Sequence, residues 1–177
     1  GEETNDAAGA FWRCDVEQAA SALADILIEE RADVLTCYDD HGGYGHPDHI
    51  QVHRVGIRAA ELAGTPRVYQ STMNRDAMIR NREKFLAMAA EAGIDLPDPG
   101  AVDDFGTAEN EITAAVDVTR YAEFKRRAMQ AHASQISADS FFLAMPKEAF
   151  LATFGTEWFI RSGQGPGITE TDLLAGL

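Results

Sequence analysis

Very little of this sequence is basic: 15 Lys and Arg stand against 29 Asp and Glu, a formal net charge of −14. An acidic surface repels phosphate backbones and anionic headgroups, so neither nucleic acid nor membrane is expected as a partner. Long apolar runs are lacking too, since no stretch approaches the ~18 consecutive apolar residues that a span requires. Cysteine is scarce. Cys14 and Cys37 are the two present. They fall in different expected elements with no CxxC neighbour, so no disulfide framework follows and both read as small buried apolar residues. The first ten residues hold neither a basic n-region nor an apolar h-region, which together with the cysteine count points to the cytoplasm. No G-x-G-x-x-G follows any expected strand, which counts against a metal-free nucleotide-binding domain.

The 177 residues fit one domain over 1–177, with 45% hydrophobic residues to build its core. Residues Asp15 to Ala32 have helical composition, with Ala19, Leu23, Ile26 and Leu27 as an apolar stripe and Asp15 as the cap. Asp33 to Tyr38 is a short apolar run of the kind found in buried parallel strands. A helix is expected from Pro47 to Ala63, begun by proline and closed by Gly64. Arg67–Ser71 reads as a strand, Arg75–Ala92 as a helix and Leu96–Glu109 as a surface loop rich in Pro, Asp and Gly. Then come a strand over Ile112–Val118, a helix over Arg120–Gln135, a helix around Pro146–Phe154 and a strand-like Trp158-Phe159-Ile160. Alternating strands and helices predict an α/β fold, a Rossmann-like and mostly parallel sheet with flanking helices.

In such folds ligands bind at the carboxyl ends of the strands. The loop Asp39–Asp48 lies there. Three of the five histidines, His41, His46 and His49, fall within nine residues of it, and His53 follows one helical turn later. His49, in the first turn of its helix, projects back toward the loop, where a neutral imidazole can bind zinc. Asp48 can orient an imidazole or hold it protonated. His46 can enter the same cavity as a cationic acid, and Tyr44 can donate a hydrogen bond to an oxyanion. Gly42 and Gly43 permit the turn and a close substrate approach. A competing geometry pairs His49 with His53 at i, i+4, as in zincins, but Ile50 stands where the zincin glutamate would be.

The run Tyr38-Asp39 … Gly42-Gly43-Tyr44-Gly45-His46-Pro47-Asp48-His49 resembles the second signature of the LmbE-like (PIG-L) de-N-acetylase family. This family includes the mycothiol-pathway deacetylase and amidase and the GlcNAc-phosphatidylinositol de-N-acetylases. Lys125 … His132-Ala133-Ser134-Gln135 resembles another family motif, and the terminal Glu170–Leu177 is similar to the end of a mycothiol-type deacetylase. The resemblance implies a zinc-dependent hydrolysis of an N-acetyl amide, with one zinc ion per complete domain. It makes His49 the zinc ligand, His46 the acid or electrostatic stabiliser, Asp48 the residue tuning a histidine and Tyr44 the group polarising the carbonyl. Arg75 and Asp117 stand where family members place substrate-contacting side chains. Lys125, His132 and Gln135 read equally well as structural. The implied substrate is a small N-acetylated sugar or amide, and a homo-oligomer is compatible with the sequence. Iron and zinc both accept a His/Asp set.

The family's first signature, His-Pro-Asp-Asp-Glu, does not occur in these residues. In the family it supplies further metal ligands and the general base. With the loop-like start Glu2-Glu3-Thr4-Asn5-Asp6, its absence predicts the C-terminal portion of one LmbE-like domain, without its first strands. The alternative is a catalytically incomplete fragment or paralogue that serves as a binding or structural module.

Overall fold

The computed structural model describes residues 7–91 and 106–177. A 3-10 turn over Phe11–Arg13 leads into α1 (Val16–Glu29). The Asp15 side chain accepts from the Gln18 amide at 2.8 Å, the cap expected of it. β1 (Val34–Tyr38) runs into a tight helical turn, α2 (Gly42–Gly45), and then α3 (Pro47–Ala63). The last of these ends on Gly64 at φ 68°, a left-handed cap that glycine adopts without cost. β2 (Arg67–Thr72) and α4 (Arg75–Glu91) follow. Residues 92 and 96–105 of the expected helix end and surface loop lie outside the described residues. β3 (Ala114–Asp117), α5 (Ala122–Ala131), α6 (Phe141–Ala144), α7 (Lys147–Phe154) and β4 (Thr156–Arg161) complete the order.

The sheet has the order β1-β2-β4-β3. The β1–β2 pair is parallel, whereas β4 runs antiparallel to both β2 and β3. The expectation of a mostly parallel sheet is therefore corrected to a mixed one. The reason lies in the connection. The segment carrying α5, α6 and α7 leaves from Asp117 and returns at Thr156, and these two residues are paired. A strand entering at the edge its predecessor left must run the opposite way. β1, β2 and β3 all point in one direction, so their carboxyl ends share one edge of the sheet.

Small residues let the helices approach closely. Ala20, Ala24 and Leu27 of α1 pack on Val55 and Ala59 of α3, with Leu35 of β1 against the cluster. Gly56 faces Cys37 so tightly that a Cβ there would stand 3.0 Å from the Cys37 Cβ. The other face of the sheet buries Tyr69, Ala114 and Phe159 beneath Leu173 of the C-terminal segment. That segment is anchored by Arg67, which donates to the Leu173 and Ala175 carbonyls, and by the Arg161–Glu170 ion pair. A further cluster joins Ala122, Met145, Ala149 and Phe150. Arg126 braces it by donating to the Leu143 and Met145 carbonyls. No helix among the described residues is long and apolar enough to cross a membrane.

Candidate active site

The site is built where β1 ends. Asp39 is fully buried there. Its amide extends the ladder to the Ser71 carbonyl at 3.1 Å, and its carboxylate accepts from Thr72 Oγ1 at 2.6 Å and from the Gly43 amide at 2.8 Å. The Thr72 hydroxyl lies 2.8 Å from that of Thr107. The turn that follows needs glycine. Gly42, Gly43 and Gly45 all have positive φ, and a Cβ on Gly42 would come within 2.7 Å of the Ile50 nitrogen and 2.9 Å of the His49 Cβ.

This turn places His46, His49 and Tyr44 side by side. The His46 and His49 ring centroids are 4.9 Å apart, and Tyr44 meets His49 edge-on at 5.1 Å. Tyr38 stacks on the His49 ring at 4.1 Å, with an interplanar angle of 5°. Burial, and after it the Tyr44 charge, raises the Tyr38 phenol above its usual range. The Tyr44 side chain is largely exposed.

Hydrogen bonding separates the two histidines. His46 caps α3, its Nδ1 accepting from the Asp48 amide at 3.1 Å, so the neutral ring carries its proton on Nε2. His49 Nδ1 lies 3.1 Å from the Gly42 carbonyl oxygen, which has no proton to give, so Nδ1 is the donor and Nε2 holds the lone pair. Asp48 sits in the first turn of α3, and its carboxylate accepts from the Trp12 amide at 3.0 Å rather than from a histidine. His53 turns away, its Nδ1 bonded to the Tyr38 carbonyl.

The remaining expected residues are spread along the same sheet edge. Arg75 opens α4 just after β2. Asp117 ends β3, three strand spacings from β1, or about 14 Å. There its carboxyl is lowered below the usual range by hydrogen bonds from the Thr119 side chain and then from the Thr119 amide. Lys125 binds the Phe154 carbonyl and Glu157, while His132 binds the Ala128 carbonyl. Cys37 is buried as expected, and burial followed by the Asp39 charge pushes its thiol up to about 11. Cys14 is half-exposed instead of buried.

Among the described residues, one group of three has ligand atoms spaced to hold a metal: Asp39, Asp40 and His41, all within 4.8 Å. Both Asp39 oxygens are already engaged, and Asp40 pairs with His41 at 2.7 Å on the exposed surface. His49 and His53 are in no such group among the described residues. A groove of about 470 Å³ runs along β1 between Thr36, Tyr38, Ser71, Glu157 and Phe159. It meets the histidines at Tyr38.

No protein-family model matches the chain. Curated relatives match it throughout. It is 40% identical over 191 residues to a 1D-myo-inositol 2-acetamido-2-deoxy-alpha-D-glucopyranoside deacetylase of Nocardiopsis dassonvillei, covering all of this chain and 67% of the relative. The chain belongs to this LmbE-like deacetylase family. Enzymes of the same name from Streptomyces griseus and Streptomyces avermitilis are each 39% identical over all of the chain. The chain spans 60% of the Streptomyces griseus relative and 65% of the Streptomyces avermitilis one. Family membership thus agrees with the signature over Gly42–His49.

Sequence reasoning passed over Asp39, the buried carboxylate that shapes the signature turn. An aspartate between an apolar strand and a glycine pair was the available signal.

Proposed function

We propose that this chain is part of a zinc-dependent de-N-acetylase domain, of which 1–177 form the C-terminal portion. The substrate we infer is a small N-acetylglucosaminyl compound, in keeping with the names of its relatives. The observation that carries this reading is the pair of opposite tautomers on adjacent rings. His49 offers an Nε2 lone pair, the form in which imidazole binds zinc, while His46 presents an Nε2–H, the form that donates. One imidazole suits zinc, and three protein ligands with one open position are usual in catalytic sites. The other ligands and the general base belong, on this reading, to the first signature of the complete domain.

Zinc held at His49 would polarise the acetamide carbonyl and activate water. Tyr44 directs its hydroxyl to the oxygen on which negative charge develops. The His46 Nε2–H donates a hydrogen bond to the charge that develops, and the proton that the carboxylate base takes from water passes to the departing amine, so the products are acetate and a free amine. Asp48, by holding the Trp12 amide, fixes the start of α3 and so the angle at which both histidines enter. Arg75 and Asp117, along the same edge, are proposed to bind sugar hydroxyls.

The test is zinc content by elemental analysis of protein purified without chelator, with acetate release measured alongside. Zinc lost on His49→Ala supports the reading. Zinc retained by His49→Ala but lost on His41→Ala would move the metal to the Asp39–Asp40–His41 group and overturn it. If the complete domain holds no zinc and releases no acetate, the chain is a binding or structural module instead.

A further inference from the structure

Asp39 has no place in the chemistry above, yet it is fully buried and makes no ion pair among the described residues. Leaving a carboxylate in such a place is costly unless its oxygens are well engaged. Thr72 takes one oxygen. The other accepts from the Gly43 N–H at 2.8 Å. That N–H belongs to the peptide unit whose carbonyl is Gly42 C=O, and this carbonyl accepts from His49 Nδ1 at 3.1 Å. A single amide group therefore lies between the carboxylate and the imidazole, with its hydrogen toward Asp39 and its oxygen toward His49.

An amide whose N–H is given to a carboxylate is polarised, and its oxygen becomes a stronger acceptor. A strong acceptor at Nδ1 selects the Nδ1–H tautomer and leaves the lone pair on Nε2. Free imidazole side chains favour the opposite tautomer, so the preference at His49 needs a cause. Asp39 and His49 share no direct hydrogen bond: the two carboxylate oxygens go to the Gly43 amide and the Thr72 hydroxyl, and His49 Nδ1 goes to the Gly42 carbonyl. The usual carboxylate–histidine contact is thus replaced by one passing through the backbone.

We propose that Asp39 is a positioning residue for His49, acting through the Gly42–Gly43 peptide to hold the ring as the Nδ1–H tautomer with Nε2 free. This rests on the reading of His49 as a metal ligand only for its consequence, since the tautomer can be read without metal.

The experiment is nitrogen NMR of the 15N-histidine-labelled chain, metal-free at pH 8, comparing wild type, Asp39→Asn, Asp39→Ala and Thr72→Val. Wild type is expected to show His49 protonated on Nδ1. Asp39→Ala should shift the ring toward the Nε2–H form, with Asp39→Asn in between, because an amide oxygen is a weaker acceptor for the Gly43 N–H. Thr72→Val also removes a buried hydrogen bond of Asp39 and should lower the melting temperature, but it should leave the tautomer in place. Zinc affinity of the complete domain, by chelator competition, should fall about tenfold in Asp39→Ala, the usual scale for a residue behind a ligand. An unchanged tautomer in Asp39→Asn, the variant that best preserves the fold, overturns the proposal. A shifted tautomer beside zinc binding that His49→Ala leaves intact would sustain Asp39's role and remove His49 from the metal site.

Discussion

His46 and His49 stand with ring centroids 4.9 Å apart and use the same ring nitrogen in opposite ways. Nδ1 of the first accepts a backbone proton, and Nδ1 of the second donates one. Two residues of one type, three apart on one helix end, are thereby made chemically different by the backbone alone.

His46 therefore has a structural duty as well as its proposed chemical one, and the two can be separated. His46→Ala loses the helix cap and should cost about 1 kcal/mol of stability. His46→Ser restores a capping oxygen, so its unfolding midpoint should return close to wild type. Acetate release by the complete domain should stay low in both. Activity that recovers along with the cap would show that His46 serves only to start the helix.

Tyr44 is largely exposed, its ring meeting His46 and His49 edge-on. Tyr44→Phe should leave thermal unfolding unchanged while slowing turnover on the order of 100-fold, the cost of one lost oxyanion donor. Unchanged turnover would exclude Tyr44 from the reaction.

The turn glycines differ in what surrounds them. A methyl at Gly42 meets the Ile50 nitrogen and the His49 Cβ, whereas Gly45, also at positive φ, has nothing within 4 Å. Gly42→Ala is expected to cost roughly 2–4 kcal/mol from strain and overlap together. Gly45→Ala pays for strain alone, about 1 kcal/mol. Urea midpoints compare the two, and equal losses would contradict the packing described.

Cys37 ionises at about 11 in the folded chain against 9.0 for an ordinary thiol. A folded-state value raised above the unfolded one contributes stability that is complete below pH 9 and lost as the pH rises through 11. The full loss is on the order of 3 kcal/mol for a shift of this size. Tyr38, raised by burial and then by Tyr44, acts in the same sense. Urea unfolding at pH 8 and pH 11 should show a smaller alkaline loss in Cys37→Ala than in wild type. Parallel losses would mean that burial does not hold back the thiol.

Local signals carried much of this structure. Pro47 and Gly64 bracket α3 in the sequence as they do in the fold, because proline and glycine act on the backbone where they stand. The histidine-bearing loop was legible for the same reason. The direction of β4 was not, since it depends on where α5, α6 and α7 return the chain, a property of packing among distant residues. The helix expected over Arg120–Gln135 is shorter, with a 3-10 turn at Thr119–Tyr121 before α5 and an end at Ala131. Nor was the partner of Asp48 legible: Trp12 lies 36 residues away, and nothing in the spacing joins them.

Among the described residues β1 lies at the rim of the sheet, with Thr36 exposed at its middle. Val34 to Tyr38 contains no charge and no proline, the devices that usually blunt such a rim. In residues 1–177 taken alone a second copy can add its own strand there, whereas in the longer domain proposed above the same rim is open to that domain's own remaining strands. Loss of this chain from solution should therefore accelerate with concentration even where every molecule is folded, so its solubility and its folding stability are separate properties.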